Sequence, residues 1–242
     1  MNPKGDLQSR NERFRLLACL VVAVALSACG TKPSPSSSAP MERANVPDSQ
    51  RKLQRSTNLM MDAINKPTMP IHFSYKGQQN LNDKYPREES AKPEVGPIQI
   101  EADISPDALN LTETRGGKKT ERKIAKSDAA GMAFARLDLL GPLMNVTMVT
   151  AVGTPVAQPA GSDAVEGAAA DKFQFDTATA TGPKAAGVQM AKSMLTNFQN
   201  VKGTVWVDQS SGRLSKFNLD ADFADKAGNT WKEHYEGEVT PK

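Results

Sequence analysis

The sequence predicts an α+β domain with a single curved antiparallel sheet, half-barrel-like and of about eight strands. Two or three amphipathic helices are expected on the concave face of this sheet. Apolar and polar residues alternate with a period of two in many segments after residue 70, which is typical of half-buried strands. Only a few segments show the 3.6-residue period of a helix. A large twisted sheet curls as it grows, and helices in its hollow are the simplest cover for its apolar face.

The first predicted helix covers residues 48–65. Asp48 is a good N-cap, and Lys66-Pro67 ends the helix because the residue before a proline disfavours helical geometry. Gly116-Gly117, between two extended segments, predicts a hairpin. Strands are predicted from alternation at residues 71–76, 98–104, 109–112 and 171–177.

A second predicted helix begins after Asp128 and ends at Gly141-Pro142. The next segment, 143–152, has enough β-branched residues to be a strand but could also continue the helix, so both alternatives stay open. Small residues predict a loop over residues 153–170.

The clearest helical stripe in the chain predicts a third helix over residues 184–199, and the C-terminal part is predicted to be a three-stranded meander. In the last two strands one face is almost all apolar and the other carries the charge. The helix stripe and this apolar face have no other partner in the sequence, so we expect them to face each other across the concave side. The residues concerned are Val188, Met194, Leu195 and Phe198 on the helix, and Phe217, Leu219, Phe223, Trp231 and Tyr235 on the sheet.

The N-terminus has the pattern of an export signal. Residues 1–15 carry four basic and two acidic side chains, and residues 16–26 form an unbroken apolar run. This run is shorter than the roughly 20 residues that span a bilayer, but it fits the h-region of a signal peptide. An ordinary secretory signal with a chance cysteine, or a buried core helix, is the alternative interpretation.

The next four residues, Leu26-Ser27-Ala28-Cys29, resemble the lipobox of bacterial lipoproteins. The resemblance implies that the Cys29 thiol receives a diacylglycerol and that a signal peptidase cuts between Ala28 and Cys29. The chain would then divide into a signal peptide, 1–28, a lipidated cysteine with a flexible Pro/Ser-rich tether, 29–47, and a single α+β domain, 48–242.

Lipidation implies a protein anchored to a bacterial membrane through its N-terminal lipid and facing the periplasm or the cell exterior. Gly30 follows the cysteine, in place of the aspartate that retains some lipoproteins in the inner membrane, so the resemblance favours the outer membrane. Cys19 lies in the segment that would be removed, so the mature chain could form no internal disulfide.

Charge and motifs give little sign of catalysis. The chain has 30 basic and 27 acidic residues, which gives no argument for nucleic-acid binding. His72 and His234 have no metal-ligand spacing around them, and no G-x-S-x-G motif occurs. We therefore expect no enzyme activity, no metal and no cofactor, and protein partners are not indicated. A basic cluster could contact anionic lipid head groups or cell-wall polymers, or it could be a solvated edge that blocks strand pairing; it comprises Arg115, Lys118, Lys119, Arg122, Lys123 and Lys126.

The strand and turn over residues 203–214 (GTVWVDQSSGRL), together with the order of elements, resemble the half-barrel lipoproteins and carriers of bacterial envelopes, of the LppX/LprG and Lol types. The resemblance implies a module that binds an acyl chain or another apolar ligand between sheet and helices. The facing residues given above would then line the ligand cavity. The alternative is a lipid-anchored structural or assembly protein with a filled core.

Overall fold

In the computed structural model the described residues are 47–82, 85, 91–193 and 197–242. They belong to one compact unit, Asn45–Lys242. The predicted signal peptide, the lipobox and nearly all of the predicted tether lie outside the described residues.

The described residues form one open, curved antiparallel sheet of nine strands with three helices, which confirms the predicted α+β class and adds one strand to the expected number. The strand order is β4-β3-β2-β1-β9-β8-β7-β6-β5. The strands are β1 (Ile71–Asn80), β2 (Val95–Ile104), β3 (Ala108–Arg115), β4 (Lys118–Ala125), β5 (Gln158–Val165), β6 (Ala168–Asp176), β7 (Phe198–Asp208), β8 (Leu214–Ala224) and β9 (Thr230–Pro241).

Two meanders make up this sheet. Strands β1 to β4 follow one another in space, as do strands β5 to β9, and the two sets join where β1 pairs with β9. The register at this joint sets Ile71 opposite Pro241 and Tyr75 opposite Gly237. The predicted strands around residues 71–76, 98–104 and 109–112 and the C-terminal meander are confirmed.

Helix α1 (Asp48–Asn65) has the predicted bounds, but the predicted cap was wrong: Asp48 is the first helical residue, and Pro47 occupies the N-cap position without a side-chain cap. Its buried residues include Leu53, Met60 and Ile64, which recur at helical spacing and pack into the core beneath it. At its start, the Gln50 side chain donates a hydrogen bond to the Pro155 carbonyl at 3.1 Å.

Helix α2 (Ala129–Gly153) does not end at Gly141-Pro142, so that prediction was wrong, and the open alternative for 143–152 resolves as helix. The proline is accommodated because the buried stripe runs on past it, with Leu139 before it and Leu143 and Val146 after it fully buried. Burial along the whole stripe outweighs the single backbone hydrogen bond that a proline removes.

The length of α2 matches the sheet it crosses. Twenty-five residues span about 38 Å, and the distance between the two edge strands of a nine-stranded sheet is also about 38 Å. The helix leaves β4 at one edge and leads to β5 at the other. By length and composition the stretch Ala129–Val156 could cross a membrane, but more than half of its most apolar window is buried inside the fold.

Helix α3 (Gly182–Ser193) is shorter than predicted, because Phe198 begins strand β7 instead of ending the helix. The loop predicted over 153–170 was also wrong, because most of it forms β5 and the start of β6. Glu166 and Gly167 connect these strands with positive φ values of 48° and 79°, the geometry of a tight two-residue hairpin turn. Strand β5 escaped prediction because seven of its eight residues are exposed, so it has no apolar alternation.

A candidate ligand site at one end of the inner sheet face

The middle of the inner sheet face, which is the face covered by the helices, is filled by tightly packed side chains. Phe73, Phe217 and Leu219 have no accessible surface, and Tyr235 has 1%. A side chain that lined a cavity large enough for water would present accessible area to it. In this part of the described structure the sheet and helices therefore meet as a closed core.

The predicted cavity residues divide into three groups. Phe217, Leu219 and Tyr235 belong to the filled middle, and Val188 on α3 is 2% exposed and joins the same core cluster. Phe198, Phe223 and Trp231 are partly exposed and lie together at one end of the sheet. Met194 and Leu195 lie outside the described residues.

This end, where β1 and β8 finish and β9 begins, is called the Glu233 end below. It carries a row of aromatic rings. The Phe198 and Phe223 centroids are 4.5 Å apart, and Phe223 stacks on Trp231 at 5.0 Å with an interplanar angle of 9°. Tyr85 packs edge-on against Trp231 at 5.3 Å. Flat, partly exposed apolar surface is thus concentrated at this end of the inner face.

A buried carboxylate lies beside the aromatic row. Glu233 is 8% exposed and occupies the inward-facing position of β9 between Trp231 and Tyr235. It accepts hydrogen bonds from the Tyr235 hydroxyl at 2.6 Å, the Trp231 indole nitrogen at 3.0 Å and the Asn80 backbone nitrogen at 3.2 Å. Three donors offset the cost of burying this acidic group and fix its position.

Two other buried polar groups at this end lack such partners. The Tyr75 hydroxyl and the Gln79 side-chain nitrogen have no accessible surface to speak of and no hydrogen-bond partner among the described residues. Tyr75 leans along β1 over Gly77, where a Cβ would overlap its hydroxyl. Leaving a buried donor unpaired costs about 1–3 kcal/mol, so an acceptor oxygen that reached this pair would be stabilised. Because the two atoms have no accessible surface, such a group reaches them only if the side chains that cover them move.

The tyrosines of this region are held in their neutral form. Burial raises the pKa of Tyr75 and of Tyr235 well above the usual value, and the nearby negative charge of Glu233 raises both further. Partial burial and a hydrogen bond to Asp225 raise the pKa of Tyr85 to about 12. At neutral pH the three tyrosines therefore act as hydroxyl groups, beside the acidic side chains of Glu233 and Asp225.

The arrangement thus combines a partly exposed apolar surface, formed by the aromatic rings, with two buried donors that have no acceptor among the described residues. Sequence reasoning identified the rings but missed Glu233, Gln79 and the role of the Tyr75 hydroxyl. The alternation along β9 contains the signal for Glu233, because the period that places Trp231 and Tyr235 on the inner face also places Glu233 there. Among the described residues no cluster of histidine, cysteine and acidic side chains suited to a metal ion occurs.

Two surface depressions lie elsewhere. A groove of about 470 Å³ runs along the end of α1 past Leu59 and Met69 to Arg213, and a smaller cleft of about 140 Å³ lies near Pro70 and Asp103. None of the predicted cavity residues lines either depression.

The predicted basic cluster lies on edge strand β4 and its hairpin with β3. Several of its members are paired with acidic side chains: Arg122 with Asp138 on α2, and Lys119 with Glu121 at 2.6 Å. Lys118 and Lys123 are exposed. This placement is compatible with both interpretations of the cluster.

No family model matches the chain, and the search of curated proteins gave no match. Among solved structures, the chain is similar to the Mycobacterium tuberculosis lipoprotein LppX, with a TM-score of 0.31, 10% identity, and 78% of this chain and 94% of that chain covered. It is similar to LprF from Mycobacterium bovis with a TM-score of 0.31, 12% identity, and 78% and 92% covered.

Proposed function

We propose that this chain is a lipid-anchored, non-enzymatic protein of the bacterial cell envelope that binds an acyl chain or another apolar ligand at the Glu233 end. The observation that carries the ligand proposal is the pair of buried donors, Tyr75 Oη and Gln79 Nε2, which have no hydrogen-bond partner among the described residues and lie beside a partly exposed row of aromatic rings. A ligand with an apolar body and an acceptor oxygen would satisfy both parts of this site.

Anchoring is proposed through Cys29, from the lipobox and the apolar run before it. Several buried acyl chains, each methylene contributing about 0.8 kcal/mol, would hold the protein on the membrane. Replacing Cys29→Ser should leave the precursor unlipidated and shift it out of the detergent phase on phase partitioning. A variant that still acquires an acylated, cleaved terminus would contradict the lipobox interpretation.

Ligand binding is tested with the two tryptophans of the chain, which face opposite sides of the sheet. In a Trp206→Phe background only Trp231 remains, in the aromatic row, and its emission should shift to shorter wavelength as monopalmitoylglycerol is added. In the matched Trp231→Phe background only Trp206 on the outer face remains, and its emission should not change. Native mass spectrometry of the protein purified without its lipid should show a co-purified apolar compound.

A second candidate function is a lipid-anchored structural or assembly protein. The observation that favours it is the filled middle of the inner face, where Phe73, Phe217 and Leu219 have no accessible surface. Absence of a co-purified mass, together with no change in Trp231 emission, would overturn the ligand proposal and leave this candidate.

A further inference from the structure

The helix layer carries exposed apolar residues at two separated places. Phe134 in α2 is 53% exposed and Met190 in α3 is 70% exposed, although large apolar side chains are mostly buried in this fold. The chain between Asp138 and Asp163, which includes most of α2, contains no charged residue. A helix whose last fifteen residues carry no charge, with an exposed aromatic residue near its start, is an unusual outer surface for a domain in water.

Phe134 lies beside the basic edge of the sheet. It is one helical turn before Asp138, so the two residues share a face of α2, and Asp138 pairs with Arg122 on β4. Strand β4 carries four basic residues and one acidic residue. The register puts Lys118 and Arg122 on the face of the sheet that α2 covers, whereas Lys119 and Lys123 point to the outer face. An aromatic ring near these two inner-face cations is suited to the interface of an anionic membrane.

The other end of α2 is where the chain enters the domain. Gln50, in the first turn of α1, donates its hydrogen bond to Pro155, two residues after α2 ends. Helix α3 packs on the same proline, since a Cβ at Gly187 would lie 3.1 Å from the Pro155 Cβ. Helix α3 carries two lysines and no acidic residue, besides Met190.

The two faces of the domain differ in charge. The outward positions of β8 and β9 carry four acidic residues against two lysines; the acidic ones are Asp220, Asp222, Glu236 and Glu238. The helices together carry more basic than acidic residues. An anionic surface would attract the helix layer and repel the outer face of the sheet.

We propose that the helix layer lies on an anionic lipid bilayer with α2 parallel to the membrane, held at one end by the tether and Met190 and at the other by Phe134 and the basic strand β4. About 30 Å separates the two points of attachment, from twenty residues of helical rise. Two attachments this far apart fix the orientation of a tethered domain, which a single attachment point leaves free. The inference rests on the anchoring proposed above.

The test uses a chain that begins at Thr31, because residues 45–242 form a compact unit with its own core and the probe then lacks any acyl group. Sedimentation with vesicles should show binding to phosphatidylglycerol–phosphatidylcholine mixtures, weaker binding to phosphatidylcholine alone, and loss of binding as salt rises. Equal binding to both vesicle types, or no binding, would overturn the proposal without affecting the anchoring experiment on Cys29.

Substitutions locate the contact. Phe134→Ser should lower the vesicle affinity about fivefold, while Val95→Ser, which removes an exposed apolar side chain from the outer face of β2, should leave it unchanged. Lys118→Glu, on the face of β4 that Arg122 shares, should lower it about tenfold, against no loss for Lys76→Glu on the outer face of β1. Equal losses for the members of either pair would overturn the proposed orientation.

Fluorescence quenching measures the membrane contact directly, so it distinguishes a lost contact from a substitution that destabilises the fold. With both native tryptophans replaced by phenylalanine, a single reporter introduced by Phe134→Trp should be quenched by brominated lipids in anionic vesicles. The same reporter introduced by Val95→Trp should not be quenched. Quenching at position 95, or its absence at position 134, contradicts the proposal whatever the affinities are.

Discussion

The middle and the Glu233 end of the inner sheet face are built by the same strands but have opposite character. In the middle, Phe73 and Phe217 are fully buried and pack in one apolar cluster. At the end, Glu233 and Gln79 take the inward positions, and Trp231 keeps part of its surface exposed. Alternation decides only which residues face inward; the chemistry at each inward position decides whether the face is core or site.

The largest expected loss of stability comes from truncating a buried side chain in the middle of the inner sheet face. Phe217→Ala should destabilise the domain by about 3–5 kcal/mol, because a fully buried ring that also covers Gly237 would leave a cavity. Phe198→Ala, at the partly exposed end, should cost clearly less. Urea unfolding of both variants measures the difference, and equal losses would mean that the two regions are one core.

The next effect concerns the carboxylate that organises the end. Glu233→Ala should cost about 2–3 kcal/mol, because the Tyr235 hydroxyl and the Trp231 indole N–H lose their acceptor inside the protein. Glu238→Ala is the matched control on the outer face of the same strand, where its partner Lys216 can turn to water, and it should cost well under 1 kcal/mol. A Glu233→Ala variant as stable as this control would show that the buried hydrogen bonds do not hold the end in place.

A third prediction concerns the ionisation of the tyrosine side chains at alkaline pH. The pKa of Tyr85 is raised from 10.0 to about 12, so its stabilising contribution is complete below pH 10 and is lost as pH rises through about 12. The pKa values of Tyr75 and Tyr235 are raised as well. Absorbance at 295 nm should therefore show little phenolate at pH 10.5 in the folded protein, whereas titration of all three tyrosines near pH 10 would contradict the described burial.

The substitution with the smallest expected effect on stability best separates a ligand site from a filled core at the Glu233 end. Gln79→Leu should change the free energy of unfolding by less than about 0.5 kcal/mol or stabilise the domain, because it removes a buried donor without a partner among the described residues. The same change should weaken monopalmitoylglycerol binding several-fold. Gln78→Leu, whose side chain faces outward, is the matched control and should leave binding unchanged. A large loss of stability with Gln79→Leu would mean that the amide is already satisfied.

The sequence was most informative where one face of a strand is buried. Alternation from Ile71 to Tyr75 and from Phe217 to Phe223 predicted both the strands and their inward faces correctly. The same alternation places Glu233 inward, although acidic residues are rarely buried.

Tertiary packing decided what local patterns could not. Pro142 is a helix breaker by local rules, yet α2 continues because its buried stripe rests on the sheet on both sides of the proline. Strand β5 buries almost nothing, so only its pairing with β6 across the Glu166-Gly167 turn makes it a strand. Phe198 has helical spacing from Val188 but forms the first residue of β7, opposite Phe223.

The pairing of β1 with β9 also constrains the order of folding. One edge of β1 finds its partner soon after synthesis, in β2, whereas the other edge must wait for residues 234–241. Such distant pairing slows folding, since a long loop must close before the contact forms. Until then the first meander has an unpaired strand edge that could recruit another chain. A growing chain halted before β9 would therefore be prone to aggregation, and removing β9 should prevent the two meanders from joining.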